Sequence, residues 1–109
     1  MDFKEYQEAA MKTAVYEEDV YPFLALAEEV GEFLSFMAKA SRGDDLVKRY
    51  GSEDKVAELI KKEAGDVLWQ LTACLDELGT TLDEVADMNI DKLKKRQEEA
   101  TLIGSGDER

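Results

Sequence analysis

Apolar positions recur at helical spacing over four stretches of the chain, and the residues between them punctuate four predicted helices. The first covers about residues 2–14, with Asp2 able to cap it and Phe3, Tyr6, Ala10 and Thr13 on one stripe. A break over Tyr16 to Pro22 follows, and Pro22 fixes the entry to a second helix running to about Lys39, because its locked φ suits a first turn. The stretch SRGDD reads as a loop. A third helix begins after Ser52, an N-cap followed by acidic first-turn residues, and ends at Gly79 as a C-cap. Thr81 and Glu84 form a T-x-x-E capping box that opens a fourth helix to about Glu99. The tail TLIGSGDER is short and polar and reads as loop. The β-branched residues never alternate with polar ones over a strand's length, so the fold class is all-α. The expectation is a four-helix-bundle-like architecture with helices two and three at its centre.

Acids interrupt this apolar pattern at matched places. On a wheel of ~100° per residue with Leu26 at zero, Val30, Phe33 and Met37 fall within about 40° and define the expected buried arc. Glu29 lies at roughly 300°, between Phe36 and Phe33; Glu32 sits on the edge near 240°, and Glu28 further round near 200°. With Ile60 at zero on the third helix, Ala64, Val67 and Leu71 share the apolar arc, Glu63 falls at roughly 300° and Asp66 near 240°. Two helices that build one core thus each carry an acid inside the apolar face and a second at i+3 on its rim.

Composition narrows what those acids can do. The chain has 109 residues, enough for one domain over residues 1–109 and one modest core. It contains no His, which removes Ser/His and Cys/His catalysis and imidazole metal sites, and its single Cys74 leaves no internal disulfide or Cys-based zinc site. No GxxxxGK[ST] or GxGxxG loop is present. The net charge of -12 argues against nonspecific binding to nucleic acid or an anionic membrane. No run is long enough for a membrane helix, and the start MDFKEYQEAAMK lacks the apolar stretch of a signal peptide, so a cytoplasmic location is expected.

Ordinary solvated acids would be the bland explanation, since charged residues are mostly exposed, but the matched pairing on two buried arcs counts against it. Carboxylates brought together in a low-dielectric interior stay ionised only with cations among them. Hard divalent cations, Mg2+ or Mn2+, prefer such oxygen ligands. A di-iron bundle normally uses ExxH ligands, which a chain without His cannot supply.

The motifs EEVGE at 28–32 and EAGD at 63–66 resemble the EExxE…ExxD signature of the all-α nucleoside triphosphate pyrophosphohydrolases, the MazG and dimeric dUTPase superfamily. The resemblance is to the short MazG-like proteins of bacteria and phages. It extends through YQEAAMKTAVY, LALAEEVGE, KKEAGDVLWQL, MNIDKLKKR and the tail IGSGDER. It implies Mg2+-dependent hydrolysis of a nucleoside or deoxynucleoside triphosphate to the monophosphate and pyrophosphate, with two or more ions per site. Glu29, Glu32, Glu63 and Asp66 correspond to the metal-ligand positions, and Glu28 to the position of a general base or accessory ligand. Asn89, Lys92 and Arg96 fall within about 60° of one another on the fourth helix. They match the family's phosphate-contacting pattern, although a solvated basic face near a helix C-terminus is the plain alternative. Lys39 and Arg42 are weaker candidates for the same work. Family precedent implies a homotetramer or homodimer.

Among the remaining residues, Trp69 suits an interface, bundle packing or stacking on a base, and Cys74 suits the core. Met11, Met37 and Met88 read as packing, and the tail from Gly104 to Arg109 could close over a neighbouring site. Two other functions compete: a hydrolase of alarmone nucleotides, and a non-enzymatic acidic module that mimics DNA, which would need its acids exposed.

Overall fold

In a computed structural model the structure describes residues 1–99, so the expectations placed on the C-terminal tail lie outside the described residues. Those residues form five helices and no strand: α1 Phe3–Met11, α2 Tyr21–Ser41, α3 Leu46–Tyr50, α4 Glu53–Glu77 and α5 Leu82–Glu98. The all-α class holds, with one helix more than the four expected. The additional α3 has five residues, too few for a 3.6-residue period to register, and its one local signal is Asp45, whose side chain accepts from the Lys48 N–H at 3.0 Å.

Local chemistry starts and stops the longer helices. Asp2 and Glu5 exchange hydrogen bonds in a capping box, at 2.8 Å and 3.4 Å, and Ser52 accepts from the Lys55 N–H at 3.0 Å. Thr81 accepts from the Glu84 N–H at 3.1 Å, but the reciprocal half of the expected box is diverted, because the Glu84 carboxylate accepts from the Thr80 hydroxyl. Pro22 stands in the first turn of α2, which has no side-chain cap. At the end of α4, Gly79 takes φ +74° and donates to Asp76 O at 3.1 Å, while the Thr80 N–H donates to Leu75 O at 2.9 Å. Gly43 with φ +100° ends α2 in the same way, so SRGDD is a helix stop and the cap of α3 instead of an open loop.

α2 and α4 make the most extensive helix pair; α1 packs against α4 and α5, and α3 against α4 and α2. Residues near Glu29 on α2 meet Glu63 on α4, while Leu24 shares a groove with Trp69 and Gln70, so the two helices run in opposite directions. The arc of α2 that packs is rotated from the expected one. Ala25 and Phe36 are buried, Leu26 and Phe33 half-buried, but Val30 is 36% and Met37 65% exposed. Met88 is also 65% exposed, so neither Met37 nor Met88 is a packing residue within the protomer. The reason is that α2 is apolar on two sides, and α4 covers the side that includes Glu29. Cys74 is buried, with Ala73 and Leu75 beside it.

One buried polar residue ties the chain's ends together. Gln7 of α1 donates from Nε2 to Thr80 O at 3.3 Å and accepts at Oε1 from the Leu82 N–H at 2.9 Å, so it satisfies backbone groups at the α4–α5 junction. Gln7→Ala leaves a buried N–H unpaired and should lower stability by about 1–3 kcal/mol. Urea unfolding followed by circular dichroism measures this, and an unchanged midpoint would refute the junction role.

Candidate metal centre and adjoining groove

Each of the two central helices lifts one glutamate into the seam between them. Carboxylate oxygens of Glu29, Glu32 and Glu63 lie within 4.8 Å of one another. Glu29 and Glu63 are half-buried and Glu32 is exposed at the rim. One oxygen of Glu29 and one of Glu63, Oε2 in both, are buried with no hydrogen-bond partner. A buried carboxylate oxygen without a donor is costly. Two of them facing a third carboxylate make a donor set of hard oxygens that suits a divalent cation of the Mg2+ or Mn2+ class.

The electrostatics reflect the crowding. Burial, followed by the charges of Glu32, Asp66 and Glu63, holds the Glu29 carboxyl above the ordinary glutamate range. Burial and the charges of Glu32 and Asp66 do the same to Glu63. Asp66 is exposed, so it acts on the cluster from its rim, and its charge combines with burial to push up the Tyr6 hydroxyl of α1. Glu28 is exposed and stands outside the three converging carboxylates, yet on α2 it lies one turn before Glu32 on the same side.

The cationic candidates are distributed differently. Asn89 is exposed, Lys92 half-buried and Arg96 buried, on a helix that docks on α1 while the carboxylates converge between α2 and α4. A solvated basic face therefore does not describe this stripe. Lys39 donates to the Tyr50 hydroxyl at 3.5 Å and lies 5.7 Å from the Phe36 ring centre, and Arg42 pairs with Asp44 at 2.7 Å on the surface. Both are engaged away from the carboxylates.

A groove of about 660 Å³ opens about one and a half turns along the seam. Tyr16, Tyr21 and Trp69 supply its aromatic walls, with Leu24 and Gln70 beside them. Trp69 is held by its ring N–H, which donates to Thr13 Oγ1 at 2.9 Å and Ala10 O at 3.3 Å, and it meets Tyr16 edge-on at 6.4 Å. Burial and a 2.7 Å bond to Glu77 push the Tyr16 hydroxyl up to about 12. The sequence singled out Trp69 alone; Tyr16 sits in an irregular segment where no period assigns it a side, and Tyr21 is the first residue of α2, within the stretch read as a break.

Comparison with known proteins places this geometry in context. Residues 22–101 match the MazG nucleotide pyrophosphohydrolase domain. The chain is 32% identical to the Gene 37 protein of Mycobacterium phage L5, over 95% of its own length and 96% of that protein's. No solved structure is significantly similar.

The raised Glu29 and Glu63 values fix the sign of a pH effect. Between the unfolded and folded values the native state binds more protons, so these groups lower stability as pH rises through that window. Thermal melts in chelator should show metal-free protein more stable near pH 5 than pH 7 with respect to this contribution. Glu29→Gln should flatten the dependence and raise the neutral-pH midpoint. An unchanged profile in the variant would contradict the crowding.

Proposed function

The chain belongs to the MazG nucleotide pyrophosphohydrolase family, and from that premise we propose that it hydrolyses nucleoside or deoxynucleoside triphosphates to the monophosphate and pyrophosphate with Mg2+. The observation that carries the reading is the pair of buried, unpartnered carboxylate oxygens on Glu29 and Glu63. An acidic surface that imitates nucleic acid needs its charges in water, so these oxygens count against that alternative. Glu29, Glu32 and Glu63, with Asp66 at the rim, are the residues that would hold the cations. Bound there, divalent cations supply positive charge against a triphosphate and lower the pKa of water.

The chain's own groups supply the rest of the proposed chemistry. Glu28, solvent-exposed one turn from Glu32, is the carboxylate assigned to accept the proton of the water that attacks the α-phosphorus. Asn89, Lys92 and Arg96 are assigned to phosphate oxygens, where Lys and Arg donors suit spread negative charge. The aromatic groove, farther along the same seam, is assigned to the base, which stacks on Tyr21 or Trp69. The unit that works is expected to be an assembly of copies.

Incubation with a panel of triphosphates and Mg2+ should release pyrophosphate and monophosphate. Release of orthophosphate, or full turnover in EDTA, would contradict the assignment. Glu29→Gln and Glu63→Gln should each cut kcat by roughly 10²-fold or more, the loss expected when several kcal/mol of charge stabilisation disappears, with helical content intact. Tyr21→Ala, at a position already 48% exposed, should raise KM by about tenfold with a smaller change in kcat, consistent with ~1–3 kcal/mol of stacking. An unchanged KM would remove the base from this groove.

A further inference from the structure

Gln70 is a polar residue that nothing in the fold explains. It is 8% exposed, and its side-chain oxygen Oε1 is buried with no hydrogen-bond partner. The contrast is Gln7, whose amide is satisfied by backbone groups at both of its ends. An acceptor kept from water without a donor is destabilising, and an apolar residue of the same size would remove that cost. Gln70 follows Glu63 by seven residues, which sets the two within about 20° of each other around α4 and about 10 Å apart along its axis. It therefore stands on the side of α4 that meets α2, where it lines the groove walled by Tyr16, Tyr21 and Trp69.

The donors of this groove are mostly spent. The Trp69 ring N–H is committed to Thr13 and Ala10, and the Tyr16 hydroxyl donates to Glu77. The charged side chains among its described lining residues are those of Glu17 and Glu18, exposed acceptors at its rim. A ligand that fits here stacks on the rings and brings donors of its own. We infer that Gln70 reads the base, selecting one with an exocyclic amine, adenine or cytosine, over the counterpart with a carbonyl in that place, hypoxanthine or uracil. That the ligand is a nucleotide rests on the proposed function; the need for a donor does not. The terminal torsion of a glutamine is broad, so the amide turns until Oε1 meets the amine while Nε2 donates to the ring nitrogen beside it. An amide reads adenine through N6 and N7 in this way. The amine has two hydrogens, one for Oε1 and one for a carboxylate of the rim. Hypoxanthine and uracil offer that edge a single ring N–H, and their carbonyl turns a second acceptor toward the acids.

Trp69 is the only tryptophan of the chain, so its fluorescence reports the groove directly. In titrations of the full chain without metal, cytidine should bind roughly 10–100-fold more tightly than uridine, and adenosine than inosine, the discrimination of one good bidentate contact. Gln70→Met keeps the length of the side chain and removes its hydrogen-bonding atoms. It should bring both ratios to within about twofold while raising the thermal midpoint, since the orphaned acceptor is gone. Equal binding within either pair, preference for the carbonyl member, no response to any of the four nucleosides, or ratios that survive in Gln70→Met overturn the proposal. Steady-state kcat/KM for dCTP against dUTP separates it from the hydrolase reading. Nucleoside ratios as expected, with no pyrophosphate released from either triphosphate, would sink the hydrolysis and leave the base selection standing.

Discussion

The constraint on which the rest of this protomer depends is a pair of carboxylate oxygens, Glu29 Oε2 and Glu63 Oε2, buried without a hydrogen-bond donor. Packing α2 against α4 buries apolar surface, and the same contact strips solvent from part of Glu29 and Glu63 and leaves one oxygen of each without a donor. Helix packing and desolvation are therefore one event with opposing contributions to stability. A seam lined only with leucine and valine would hold these helices together better. Under the proposed function, the acids make this seam the place where the chain gives up stability for chemistry.

The elements that surround the seam each bring something the two long helices lack. α1 carries Tyr6 toward Asp66 and, through Ala10 and the Thr13 that follows the helix, holds Trp69, so the groove next to the carboxylates has a fixed wall. α3 closes the connection between the helices with two tight stops, at Gly43 and Gly51, both with positive φ. α5 contributes four cations within five residues, Lys92, Lys94, Lys95 and Arg96, with Arg96 buried. Membership of the MazG nucleotide pyrophosphohydrolase family gives these parts a common context: an acidic seam, an aromatic groove and a cationic helix are what a triphosphate of a nucleobase would require.

How much of this could be read from residues alone depended on whether the signal was local. Capping residues and helical period located four helices because both act within one turn, and the i and i+3 spacing of acids on two apolar helices pointed to their juxtaposition. The rotation of α2 was not legible: a helix apolar on two sides gives no hint of which side its neighbour takes, so Val30 and Met37 were assigned to the wrong one. Gln7 was equally hidden. A glutamine within an amphipathic stripe looks like a surface residue until the backbone groups it satisfies, at Thr80 and Leu82, are brought to it.

That same glutamine sets the order in which the molecule can be completed. Its partners follow it by 73 and 75 residues, and the wall residue Trp69 follows Thr13 by 56. While the chain emerges from a ribosome, α2 and α4 can meet and α1 can dock on α4 through Trp69, but Gln7 lacks its backbone partners until residue 82 is out. The acidic seam and the groove beside it can therefore form before the α4–α5 junction, and nascent chains cut short of α5 carry both with the Gln7 amide still without its backbone partners.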